Sequence, residues 1–384
     1  MSLINITLIV YVIAFIAYIV REIWRSTPAK WVSLGLLILA FCFNLAMVAK
    51  RSIEAGHPPF SNLYESLIFY ACCTAFVYII FEFVYNFKVV GALASVLSML
   101  ILLYATLQDD TIRPIMPALK SNWMLVHVVT YMLGYAAFGI SFVTSIIFLV
   151  VKPFLNKQRF KNPVSGQIKD ISLSGLWVLI FGPVYFVFNG IWLHAIIVFI
   201  ANMLVGFSNI ILIYSLGSIG YFFGTIIFLI FGLIYPLCAS GIMRNHYLKN
   251  RWVEINKESI ESKGNETKGE ILLRNFDKLS YKIVAFGFPF LTLGMITGAV
   301  WAKKAWGDYW SWDPKETWSL ITWLAYLVYL HTPLVLPKMN INKSKAAVIL
   351  AIWLLISFGI VNFTFMGLNY LPSAADSEHI YGSQ

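Results

Sequence analysis

Apolar runs of about 20 residues recur along the whole of this chain, and that repetition decides what it can fold into. The first, residues 3–20 (LINITLIVYVIAFIAYIV), holds no charged side chain at all. Further runs cover 31–49, 63–85, 88–107 and 123–151, two fall within 173–243, and the last three are 283–302, 317–335 and 345–368. A helix rising about 1.5 Å per residue needs roughly 20 residues to cross about 30 Å of hydrocarbon. A spanning segment must satisfy its own backbone polar groups there, which selects helices. The pattern predicts an all-α, polytopic integral membrane bundle of about ten transmembrane helices. With 59% apolar and 12% charged residues and a mean hydropathy of +0.76, a soluble globular fold is excluded. The first run lacks a basic start and a small-residue cleavage site, so it reads as a retained helix rather than a signal peptide.

The formal charge of +10 raises the question of nucleic acid, but the basic residues lie between the apolar runs rather than on one domain. That is the positive-inside pattern, and no nucleic-acid partner is expected. Arg21, Arg25 and Lys30 follow the first run and place that loop in the cytoplasm, hence the N-terminus outside. Alternation then puts 50–62 and 108–122 outside. Residues 152–172, with Lys152, Lys157, Arg159, Lys161 and Lys169, fall inside. Segment 244–282 carries nine Lys or Arg residues and reads as a mobile cytoplasmic loop. Residues 303–316 and the C-terminal tail fall outside. Three portions result. Residues 1–151 are N-terminal transmembrane helices. Residues 152–282 hold an extra transmembrane pair and the basic loop. Residues 283–384 hold an indole-rich segment with flanking helices and an external tail.

Chemistry concentrates in that third portion. Six of the thirteen tryptophans lie between Trp301 and Trp323, centred on Trp306-Gly-Asp-Tyr-Trp-Ser-Trp-Asp-Pro-Lys-Glu316. An interfacial belt needs one or two indoles per helix end. Six, interleaved with Asp308, Asp313 and Glu316, suit a large flat apolar ligand such as a porphyrin. Trp123, His127, Tyr131 and Tyr135 recur at i, i+4 and share one helix face. His127 and His379 both fall on the outer side, where imidazoles are apt axial ligands for haem iron. His331 lies roughly 21 Å into its span counted from Thr317, where an ionisable side chain is a functional candidate. A neutral imidazole bonded to a backbone carbonyl is the alternative there. In the loop Gly-His-Pro-Pro-Phe-Ser-Asn-Leu-Tyr-Glu65 the prolines fix a turn, Asn62 and Glu65 cap or pair at the start of the next helix, and His57 is structural. Asp313 is expected at or near a helix N-cap, with Pro314 in the first turn. The three external carboxylates orient the segment rather than act as acids or bases. Lys303 or Lys304 would meet a haem propionate. The four cysteines lie in apolar runs, and none belongs to a Cys-x-x-Cys-His haem-attachment site.

Residues 306–318 (WGDYWSWDPKETW) resemble the tryptophan-rich "WWD" signature of haem-handling proteins. With Asn62-Leu-Tyr-Glu-Ser66 and the helix ending Tyr329-Leu-His331, the chain resembles the CcsA/ResC type of cytochrome c biogenesis protein (System II) over its first 150 and last 105 residues. Residues 152–280 carry no motif of that family. The resemblance implies haem export, and presentation or ligation of haem b, as substrate, to apocytochrome c on the outer face of a bacterial plasma membrane. The activity would be that of a holocytochrome c synthase (haem lyase) subunit forming thioether bonds. The implied partners are a CcsB/ResB-type membrane protein, apocytochrome c, membrane lipid and a thiol-reducing protein. The implied iron ligands are His127, His379 and His331, with Trp306, Trp310, Trp312, Asp313 and Trp318 completing the haem surface. The family's closing motif departs here: Gly367-Leu368-Asn369 is separated from His379-Ile-Tyr-Gly382 by a longer spacer. The alternative is a haem transporter or chaperone of the CcmC type, without ligation activity. A membrane glycosyltransferase can also carry a Trp-Trp-Asp motif, but Ser311 interrupts the indoles here and no external catalytic domain follows.

Overall fold

A computed structural model describes residues 2–24, 26–85, 88–112, 114–115, 117–155, 158–255, 268–336 and 343–365. The chain forms two compact units, one of residues 1–146 with 277–384 and the other of residues 147–276.

The first unit is a helical bundle. Its helices are α1 (Leu3–Trp24), α2 (Thr27–Ala55), α3 (Leu63–Tyr85), α4 (Lys88–Ala105) and α5 (Asn122–Val151). From residue 277 on, this unit holds most of α9 (Lys268–Ala305), then α10 (Pro314–Val335) and α11 (Lys343–Phe365). Seven of these are long and apolar enough to cross a membrane by length and composition. Helix boundaries follow local signals. Ser26 caps α2 by accepting from the Ala29 N–H at 3.3 Å, Pro28 opens its first turn, and Gly56 (φ 70°) ends it in the left-handed conformation. Asn62 Oδ1 accepts from the Glu65 N–H at 2.8 Å and starts α3. Glu65 is fully buried and accepts from the Ser61 N–H (2.9 Å), the Ser61 hydroxyl (2.7 Å) and Arg51 Nε (2.9 Å). The Asn-Leu-Tyr-Glu segment is therefore a structural knot, as its sequence suggests. His57 is half-buried, with Nδ1 2.9 Å from the Pro58 carbonyl.

Apolar side chains alone do not fix the bundle. Glu82, 1% exposed, accepts from Arg21, also 1% exposed, and from the hydroxyls of Tyr78 and Tyr18, the last at 2.7 Å. Two charges this deeply buried hold together only as a pair. On α10, Ser319, Thr322, Tyr326 and Tyr329 recur at i, i+3, i+7 and i+10 and form a hydroxyl-bearing stripe on its packed face. The Thr322 hydroxyl meets that of Thr364 on α11 at 3.1 Å. Tyr326 stacks on Phe138 of α5 at 3.6 Å and 10°, and Tyr329 is 1% exposed. The opposite face, with Leu324, Val328, His331 and Val335, is exposed.

In the second unit, β1 (Arg159–Lys161) pairs antiparallel with both β2 (Ile168–Asp170) and β3 (Val253–Glu254). Two short helices, α6 (Ser174–Phe181) and α7 (Pro183–Phe188), precede one helical run, α8 (Trp192–Lys249). At 1.5 Å per residue a straight run of that length would reach about 87 Å. Yet Ile191, Ala195 and Val198 near its start share one apolar cluster with Ala239, Met243 and Tyr247 near its end. The run is therefore not straight, and residues near its two ends share one core. The segment expected as one long loop, 244–282, is corrected at both ends. Helix α8 continues to Lys249 and α9 begins at Lys268, because the flanking residues there are good helix formers.

Candidate haem site at the tryptophan segment

Helices α5 and α9 touch through glycines. A Cβ at Gly134 would lie 3.2 Å from the Gly287 carbonyl oxygen, and one at Gly294 would lie 2.3 Å from the Tyr131 ring. A Cβ at Gly298 would lie 2.5 Å from His127 Nδ1. Without side chains at 294 and 298, the rings of Tyr131 and His127 lie directly on the α9 backbone. There His127 Nδ1 is 2.8 Å from the Gly294 carbonyl. A carbonyl can only accept, so Nδ1 is the donor, and in the neutral ring the lone pair is then on Nε2. That is the tautomer a metal-ligating imidazole needs, and a hydrogen bond to the other nitrogen is how proteins orient such rings.

Two aromatic rings frame the imidazole. Trp301 of α9, 3% exposed, stacks on it at 5.8 Å and 26°. Tyr131 lies at 4.7 Å on its own helix. Trp306 then meets Trp301 edge to face at 4.6 Å. His127 and the tryptophan segment, separated by some 170 residues of sequence, are thus brought together. Trp301 was not among the site residues expected from sequence. Its role comes from the pairing of α9 with α5, which the pattern of one helix does not show.

Between α9 and α10 the chain turns through residues 306–313. Gly307 adopts φ 102°, and Trp312 adopts φ 60°, a conformation rare for a residue with a side chain. One carboxylate oxygen holds this shape. Glu316 Oε2 accepts from the Ser311 N–H at 2.8 Å and the Asp313 N–H at 3.2 Å. Asp313 Oδ1 accepts in turn from the Lys315 N–H at 2.9 Å, which completes a capping box with Pro314 at the first helical position. Asp313 and Glu316 therefore orient the loop, as expected. The Asp313 carboxylate is committed to the helix start and is 9% exposed.

The remaining indoles do not form one continuous floor. Trp310 and Trp312 make a perpendicular pair at 5.8 Å, with Trp312 67% exposed. Trp318 is directed to α11, against Phe363 at 4.4 Å. His331 is exposed on α10, with Nδ1 2.8 Å from the Leu327 carbonyl. His379 lies outside the described residues. Among the described residues no three His, Cys, Asp or Glu side chains gather to hold a metal ion.

The comparisons with known proteins join this geometry to a family. A family model described as "Cytochrome C assembly protein" matches residues 60–374. The chain belongs to the cytochrome c assembly protein family. It is of the CcsA type. It is 30% identical over 383 residues to the cytochrome c biogenesis protein CcsA of Guillardia theta, covering 98% of this chain and 95% of that one. The proteins of that name from Porphyra purpurea and Microcystis aeruginosa are each 31% identical, over 90% and 91% of this chain and 86% and 87% of theirs. The bounds of the family match, 60–374, enclose 152–280, the stretch where no family motif is legible by eye.

Proposed function

We propose that this cytochrome c assembly protein carries haem b, its substrate, across the membrane and presents it on the outer face for attachment to apocytochrome c. The observation that carries the reading is the His127 imidazole. It is pinned through Nδ1 on Gly294 and stacked on Trp301, which in turn meets Trp306 of the tryptophan segment. The arrangement matches what a haem-iron ligand needs, and an apolar aromatic surround suits the macrocycle. We assign His379 as the second iron ligand. It follows the end of α11 at Phe365 by fourteen residues, a tether of up to about 48 Å when extended.

In this reading the termini, the tryptophan segment and both ligands lie outside, as the basic loops require. Haem enters from the inner leaflet at His331. That side chain lies on an exposed α10 face, where an imidazole facing lipid would be costly. A CcsB/ResB-type membrane protein covers this face and supplies the opposing ligand. Trp306, Trp310, Trp312 and Trp318 give the outer haem its aromatic contacts, and Asp313 shapes the loop that presents them. Each thiol of the apocytochrome Cys-x-x-Cys-His segment then adds across a vinyl group. Sulfur bonds one vinyl carbon and hydrogen ends on the other, with no net change in oxidation state. A thiol-reducing protein keeps the cysteines available. The chain's own part is to orient haem and peptide and so lower the entropic barrier.

The test is the visible spectrum of the chain co-purified with a CcsB-type partner, for wild type, His127→Gly and His379→Gly, with and without imidazole. A six-coordinate bis-imidazole spectrum, lost in each variant and restored by imidazole, is the expected result. A spectrum indifferent to both substitutions would overturn the ligand pair.

A further inference from the structure

The two lysines that open the tryptophan segment have different tasks. Lys303 Nζ donates to the Gly307 carbonyl and lies 5.6 Å from the centre of the Tyr309 ring. It is used in holding the turn. Lys304 points to α5, where Nζ lies 5.8 Å from the Trp123 ring centre. Among the described residues no carboxylate pairs with it.

The register between α5 and α9 gives this position its meaning. Gly294 faces Tyr131, Gly298 and Trp301 face His127, and Lys304 faces Trp123. Trp123 precedes His127 by one helical turn, and Lys304 follows Trp301 by nearly one. The cation is therefore displaced from the imidazole by about one turn, roughly 5.4 Å, toward the helix ends. Haem is apolar over most of its rim and carries two propionates along one edge. A haem whose iron meets His127 Nε2 has a propionate within reach of a flexible lysine at that displacement.

We propose that Lys304 binds a haem propionate at the outer site. This rests on the reading of His127 as an iron ligand and adds the orientation of the macrocycle within that site. Because the vinyl groups lie opposite the propionates, anchoring the acidic edge at Lys304 turns the vinyl edge away from it. That edge is where the peptide thiols must arrive. Lys304 also makes the site selective for the free-acid porphyrin.

The test titrates the purified full chain with iron protoporphyrin IX and, separately, with its dimethyl ester, following the visible spectrum. Lys304→Met should weaken binding of the free acid about tenfold, and Lys304→Arg should stay within about twofold of wild type. The ester should bind wild type and Lys304→Met equally. Lys303→Met, as a control, should leave the preference for free acid over ester unchanged. Equal binding of the free acid by wild type and Lys304→Met overturns the assignment, as does an equal loss for acid and ester. If the wild-type spectrum does not depend on His127, the outer site itself is wrong and Lys304 falls with it. If it depends on His127 but not on Lys304, only the propionate assignment fails.

Discussion

Gly298 lies where a side chain would meet His127: a Cβ built on it would be 2.5 Å from Nδ1. The imidazole is thereby held on the α9 backbone, with Nδ1 2.8 Å from the Gly294 carbonyl. Gly298→Ala should force the ring off this seat while leaving the helix, where alanine is favoured, intact. The expected outcome is a chain that melts within about 1 kcal/mol of wild type but loses its six-coordinate haem spectrum, with recovery on adding imidazole. An unchanged spectrum would show that the glycine serves only helix packing.

Glu316 ties two backbone N–H groups with one oxygen and closes the capping box. Glu316→Ala should cost about 1–2 kcal/mol locally and release Trp312 from its left-handed conformation. Tryptophan fluorescence would register the release as a red shift and greater quencher access. Glu316→Gln should recover part of the loop order, since its amide oxygen still accepts.

Removing one member of the buried Arg21–Glu82 pair leaves the other charge uncompensated. Glu82→Gln should therefore destabilise the bundle by about 3–5 kcal/mol, whereas the double replacement Arg21→Met with Glu82→Leu should restore much of that loss. Thermal unfolding in detergent, followed by circular dichroism, measures both. Equal damage from the single and double variants would mean that the two charges act separately.

His331 is exposed on α10 and touches its own helix through the Leu327 carbonyl. His331→Leu should leave the melting of the isolated chain within about 0.5 kcal/mol of wild type. In the complex with a CcsB-type partner it should abolish any haem signal that survives removal of both outer ligands. A marked loss of stability in the isolated chain would instead assign His331 to packing.

Much of this was legible in the sequence because membranes impose coarse, periodic constraints. The α3 boundaries, Leu63–Tyr85, coincide with the apolar run, and the Asp313-Pro314 start of α10 follows from capping chemistry alone. Apolar periodicity could not separate a loop from the continuation of a helix beyond the membrane, so the ends at Lys249 and Lys268 were missed. It was equally silent on the shared core of the two ends of the run from Trp192 to Lys249, because that packing joins residues some 45 positions apart. At the site, sequence pointed to His127 through its aromatic neighbours at i±4. Trp301, Gly294 and Gly298 were not legible, since their roles come from the pairing of two helices remote in the chain.

The hydroxyl stripe on α10 has a mechanical consequence. Bonds and stacking at Thr322 and Tyr326 resist rotation of this helix about its axis and hold its azimuth against α5 and α11. At one end the same rod bears the Asp313 cap and the loop folded upon it. Eighteen residues on, about 27 Å along the axis, it bears His331. The His331 face and the tryptophan loop therefore keep a fixed angular relation along one shaft.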